Sequence, residues 1–129
     1  MELYRDEFGV IRRDEAGHVL ELEWTEETAR MTDEDFKAWL VRLAETGEGH
    51  PAHFMIVDTR LFRYRPGADF AEWRDQNIIP RYNRAGVTKF AFLTPPGMGA
   101  ASEPAPEGPA QFPTGYFDSR ERIDAWLSP

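Results

Sequence analysis

The chain has 129 residues, 41% of them hydrophobic and 13% aromatic, with no cysteine and a net charge of −8. That is the length of one domain with enough apolar surface for a core, which excludes wholesale disorder, disulfides, thiolate chemistry and cysteine-held metal. The excess acid lies in residues 1–50, with 14 acids against 6 bases, while residues 51–129 hold 9 of each; an acidic chain repels a phosphate backbone, so no nucleic-acid partner is expected.

The opening Met1-Glu2-Leu3-Tyr4-Arg5-Asp6-Glu7 has no basic start and no apolar segment behind it. No apolar run approaches the length of a bilayer crossing, so the expectation is a cytoplasmic protein without a membrane span. Val10 to Arg13 and His18 to Trp24, separated by Asp14-Glu15-Ala16-Gly17, predict a hairpin. Leu20, Leu22 and Trp24 alternate with Val19, Glu21 and Glu23, the pattern of a strand with one wet face, and this strand is expected toward a sheet edge. Thr32 with Asp35 three residues on, flanked by Met31 and Phe36, predicts a capped and stapled helix start. Phe36, Trp39, Leu40 and Leu43 form its apolar stripe, and Gly47 is the expected left-handed stop.

Phe54-Met55-Ile56-Val57-Asp58 does not alternate, which predicts a central strand buried on both faces. Pro66-Gly67 opens a second helix, with Asp69 and Glu72 as a cap pair, Phe70, Trp73 and Asn77 or Ile78 facing inward, and Pro80 forcing a kink or an end. Val87 to Leu93 is the next buried strand. Residues 94–113 hold six prolines and three glycines, which predicts an extended, mobile loop. Thr114 to Phe117 adds a short strand, and Asp118 with Glu121 caps a final helix carrying Ile123, Trp126 and Leu127.

This order of hairpin, helix, strand, helix, strand, helix, with the Phe54 to Arg60 segment and the ending Phe117-Asp118-Ser119 through Ala125-Trp126-Leu127, resembles the SpoIIAA-like group. That fold is shared by bacterial anti-sigma-factor antagonists, the STAS domains, and by many small bacterial proteins. The resemblance covers most of residues 9–128. It implies an α/β fold: a single domain over residues 1–129 whose mixed sheet has four to five strands, an N-terminal hairpin and parallel central strands, with three main helices. In the antagonists a partner kinase phosphorylates a serine at the start of the helix after the central strand. The matching segment here is Pro66-Gly67-Ala68-Asp69, without a hydroxyl, and Thr59 lies on the strand side of it. The resemblance therefore implies a bacterial member without the phosphorylation switch.

In open α/β sheets ligands collect at the carboxyl ends of parallel strands. Asp58, Thr59, Arg60, Arg63, Tyr64 and Arg65 follow the central strand, and arginines interleaved with Phe62 and Tyr64 could bind an acidic group bidentately or stack on rings. Asp58 at a strand end more often caps the following turn than acts as a base. Trp73, Arg81 and Tyr82, in and beyond the second helix, combine an aromatic anchor with arginine, the composition of an interface. His50 and His53 point to opposite sides of an extended segment, so no metal is expected, nor a cofactor or catalytic residue. Two functions fit. One is a non-catalytic interaction or regulatory module that meets a protein partner or associates with itself as a homodimer. The alternative is a small-ligand or lipid-type carrier with an apolar pocket under residues 94–113, where Met98, Phe112 and Tyr116 supply contacts and Arg60, Arg63 and Arg65 hold an acidic head group.

Overall fold

In the computed structural model, which describes residues 1–99 and 103–128, each apolar run becomes a strand lying beside its neighbours in sequence. β1 (Glu2–Arg5), β2 (Gly9–Arg13), β3 (Val19–Trp24), β4 (Phe54–Asp58), β5 (Lys89–Leu93) and β6 (Thr114–Phe117) form one sheet in that order. β1, β2 and β3 pair antiparallel, and β3 through β6 pair parallel. Six strands replace the expected four to five. The added one, β1, is four residues long, charged at both ends, and joins β2 across an irregularity between Glu2 and Tyr4.

β3 is interior and not near an edge, with β2 on one side and β4 on the other: Val19 lies opposite Phe54 and Glu23 opposite Asp58. β4 sits between β3 and β5 with Met55 to Asp58 buried, as its unbroken apolar composition requires. The hairpin turn is closed by Asp14, whose carboxylate accepts from the His18 and Val19 N–H groups, and by Gly17 at φ 74°.

Helix α1 (Asp33–Gly49) begins as its sequence predicts. Thr32 Oγ1 accepts from the Asp35 N–H at 3.1 Å, and the Asp35 carboxylate accepts from the Thr32 N–H at 3.0 Å. Gly47 is not its stop. The helix runs to Gly49 with His50 as C-cap, and Gly47 lies against Leu20, where a Cβ would meet Cδ2 at 3.6 Å. Helix α2 (Phe70–Asn77) has Asp69 at its N-cap position, but that side chain makes no capping bond, so the Asp69–Glu72 pair does not form. The break at Pro80 is present: α3 (Ile79–Ala85) starts after the junction at Ile78, and Gly86 at φ 89° ends it. Helix α4 (Arg120–Leu127) is capped by Ser119, whose Oγ accepts from Arg122 at 3.3 Å, and not by Asp118, whose carboxylate accepts from the Gly97 N–H. With α2 and α3 taken as one kinked unit, three helical units flank the sheet.

Strand alternation then sorts the core. Leu20, Leu22, Trp24, Met55, Val57 and Phe90 face α1, α2 and α3, while Ile56, Ala91 and Leu93 pack against Ile123 and Trp126 of α4. The segment expected to be an extended, mobile loop is folded over its second half; residues 100–102 lie outside the described residues. Ala105 and Thr114 exchange backbone hydrogen bonds of 3.2 and 2.9 Å, and Ala110 and Phe112 are buried. Asn83 clamps the same stretch, donating to Pro109 O at 3.1 Å and accepting from the Gln111 N–H at 2.9 Å. Gly108, at φ 54°, lies so close to Asp75 that a Cβ would come within 2.6 Å of its carboxylate.

Candidate functional site

The residues after β4 split by the side of the chain they occupy. Asp58 is 3% exposed, and its carboxylate accepts from the Arg60 backbone N–H at 3.1 Å and from the guanidinium at 3.0 and 2.8 Å. It therefore caps the turn, and Arg60 is engaged by it. Arg120 pairs with Glu21 and comes within 3.9 Å of Asp58, while Arg12 pairs with Glu23 at 2.7 Å, so three acids and three arginines balance on the α4 side of the sheet. Thr59 Oγ1 donates to Leu93 O at 2.9 Å and ties β4 to β5.

Phe62 and Tyr64 turn inward, 5.2 Å from Trp24 and 4.9 Å from Phe36 between ring centres, and the Tyr64 hydroxyl donates to Asp33. Burial and that carboxylate push the Tyr64 pKa up. Arg63 and Arg65 point to solvent; the Arg63 backbone N–H donates to Thr28 Oγ1 at 2.8 Å. Farther along, Lys37 Nζ sits 5.3 Å from the half-buried Trp73 ring, and Arg81 forms a forked pair with Glu48 at 3.0 and 2.5 Å. The nine predicted residues thus do not make one site. Asp58, Thr59 and Arg60 cluster, Tyr64 joins α1, and Trp73, Arg81 and Tyr82 belong to the kinked helical unit.

Of these nine, Tyr82 alone reaches the apolar cavity, a space of about 210 Å³ between the sheet and α1, α2 and α3, closed at one side by residues 107–114. Phe90 and Phe92, two apart on β5, form its floor, with Trp24 and Val57 from the neighbouring strands. Phe112 closes it from the proline-rich segment, 6.2 Å from the Phe90 ring, and Phe36 and Phe70 wall the helical side. Polar lining residues are few: Tyr82 and Thr114, both buried, and Arg74 and Glu107, both partly exposed, at the rim.

Arg74 donates to Asp75 at 3.1 and 3.2 Å and lies 3.7 Å from Glu107. Tyr116 donates to Glu107 at 2.6 Å, and burial, reinforced by that carboxylate, raises its pKa. The rim therefore carries one cation and one carboxylate, and the cation is already engaged by Asp75 behind it. Arg60, Arg63 and Arg65 do not line this cavity, and Met98, expected to contribute to it, is 68% exposed. Sequence reasoning placed an apolar space under the proline-rich segment and named Phe112, but it missed Arg74, Glu107 and the Phe90/Phe92 floor. The available cue was the i, i+2 aromatic pair in β5, which puts two large rings on one face.

Comparison of the chain with protein-family models, with curated proteins and with solved structures returns no match.

Proposed function

We propose that the protein is a non-catalytic binding protein, SpoIIAA-like in architecture, that encloses a small, mainly apolar molecule between its sheet and helices α1–α3. The observation that carries this is the 210 Å³ aromatic-walled cavity within an otherwise closely packed core. Protein interiors are packed as densely as organic crystals, so an aromatic-walled space of this size beside the core is an exception that a guest of matching shape would fill. Apolar walls with a few convergent polar groups are the usual composition of small-molecule sites. The acidic head group expected from Arg60, Arg63 and Arg65 has no support at this cavity, since Arg74 is the arginine beside it. A regulatory module that meets a protein or a second copy through α2 draws less support: Arg81 is engaged by Glu48, and Trp73 lies under Lys37.

Native mass spectrometry of protein purified without denaturation tests the reading. The expected result is a species heavier than the bare chain that loses its excess mass on denaturation, and stripped protein that takes up toluene. Leu40→Trp, which drives an indole into the cavity wall, is expected to abolish that uptake with the helical circular dichroism retained. A bare-chain mass together with no toluene uptake by the wild type overturns the proposal.

A further inference from the structure

We infer that the occupant is a neutral single-ring molecule bearing one oxygen function, a phenol or aromatic alcohol, held by the hydroxyls of Tyr82 and Thr114; this rests on the binding reading above and specifies its ligand. The argument begins with hydrogen bonds that are missing. Tyr82 is 4% exposed and Thr114 7% exposed. Comparable buried hydroxyls are bonded, Thr28 to Thr25 O at 2.8 Å and Thr94 to Phe117 O at 3.2 Å, as is that of the half-buried Tyr116, to Glu107 at 2.6 Å. Those of Tyr82 and Thr114 have no such partner among the described residues, and buried polar groups are seldom left so. Neither is sealed in protein, since the one fully enclosed, unpaired side-chain polar atom among the described residues is Arg13 Nε. Both hydroxyls therefore meet open space, and the space that both residues line is the cavity.

The two groups are neighbours in the fold. The Tyr82 ring lies 5.6 Å from Phe90, and Phe90 is the register partner of Thr114. A hydroxyl both donates and accepts, so the pair suits a ligand oxygen. Size follows from a known case: an apolar cavity of ~150 Å³ takes benzene, so 210 Å³ corresponds to about eight non-hydrogen atoms, one ring with one or two substituents. Ring walls favour a ring guest through edge and offset-face contacts. Charge is set by the rim, where Arg74 and Glu107 balance and Arg74 is already engaged by Asp75 and Glu107, on a chain of net charge −8. An anion entering there finds no free cation to offset its desolvation, a cost that a neutral molecule does not carry.

Calorimetric titration of the ligand-stripped full chain with p-cresol, toluene and benzoate tests this. Toluene reports the cavity alone. p-Cresol is expected to bind about fivefold more tightly than toluene, the factor that one net hydrogen bond supplies, and benzoate at least about tenfold more weakly than p-cresol for want of a paired rim cation. Tyr82→Phe and Thr114→Val should each narrow the p-cresol advantage over toluene, and the double variant erase it, the ratio of the two affinities within each variant being the readout. Equal binding of toluene and p-cresol by the wild type, an advantage that survives in Tyr82→Phe and in the double variant, or tightest binding of benzoate overturns the ligand class while leaving the cavity reading intact. Failure of both toluene and p-cresol to bind overturns the two together.

Discussion

Replacing Tyr82 with phenylalanine should make the unliganded protein more stable. The change removes one oxygen from a residue 4% exposed and leaves its ring 5.6 Å from Phe90 and 6.5 Å from Phe112. Burial pushes the Tyr82 pKa upward, the mark of a hydroxyl withdrawn from water, and no partner among the described residues compensates it. An unmade hydrogen bond on a buried polar group costs about 1–3 kcal/mol. Since this hydroxyl borders open space, the low end applies, and Tyr82→Phe is expected to gain about 1 kcal/mol. With an unfolding entropy of about 2.1 cal/mol/K per residue over 129 residues, that gain raises Tm by about 4 °C. Scanning calorimetry of stripped protein reads the shift, and urea unfolding should move its midpoint at unchanged slope. Saturating p-cresol should shrink the gain, because the hydroxyl then has its partner. A Tm equal to or below that of the wild type would mean that the hydroxyl is already satisfied, and the premise for an oxygen-bearing guest would be refuted.

Gly108→Ala places a side chain where φ is 54° and the Asp75 carboxylate lies 2.6 Å away; a loss of at least about 1–2 kcal/mol from the left-handed backbone alone is expected in chemical denaturation, with Asp75→Ala restoring only the part due to the clash. Thr32→Ala removes one half of the α1 capping box and should lower stability by about 1 kcal/mol, read by thermal melting; a change near zero would discount the cap. Asp58→Ala strips the turn after β4 of its acceptor and Arg60 of its carboxylate, a loss of about 1–3 kcal/mol, yet toluene affinity should not change because these groups lie on the α4 side; altered affinity would return the predicted arginine rim to the binding site. The Arg81 guanidinium hydrogen-bonded to Glu48 holds its carboxyl below the ordinary 4.5, so this pair stabilises the fold above that pH and ceases to as pH falls through the lowered value. Glu48→Gln should therefore flatten the loss of stability between neutral and acid pH, and equal acid sensitivity in wild type and variant would assign the effect elsewhere.

What could be read in advance was whatever depends on neighbours in sequence. Continuous apolar runs gave β4 and β5, the spacing of Thr32 and Asp35 gave the start of α1, and Pro80 gave the break between α2 and α3. What could not be read depends on distant partners. Asp118 and Ser119 are adjacent capping candidates, and the choice falls to Ser119 because the Asp118 carboxylate bonds Gly97, 21 residues away. Gly47 is no stop because it keeps a helical backbone, buried beside Leu20, and the helix continues to Gly49. β1 has neither length nor alternation to announce it, and β4, the parallel partner that makes β3 interior, lies beyond the whole of α1. The candidate site suffered most, since the rings of Trp24, Phe36, Phe70, Phe90, Phe92 and Phe112 come from five separate stretches of chain, and Arg74 was indistinguishable in type from Arg60, Arg63 and Arg65.

The stretch that covers the cavity is held by the Ala105–Thr114 exchange, the Asn83 clamp and the Tyr116–Glu107 bond, all of which can part without disturbing any strand beyond the terminal one. For the proposed guest, exchange would then need a local swing of this flap that withdraws Phe112 from the core, not melting of the domain. Such local opening has its own free energy, below that of global unfolding.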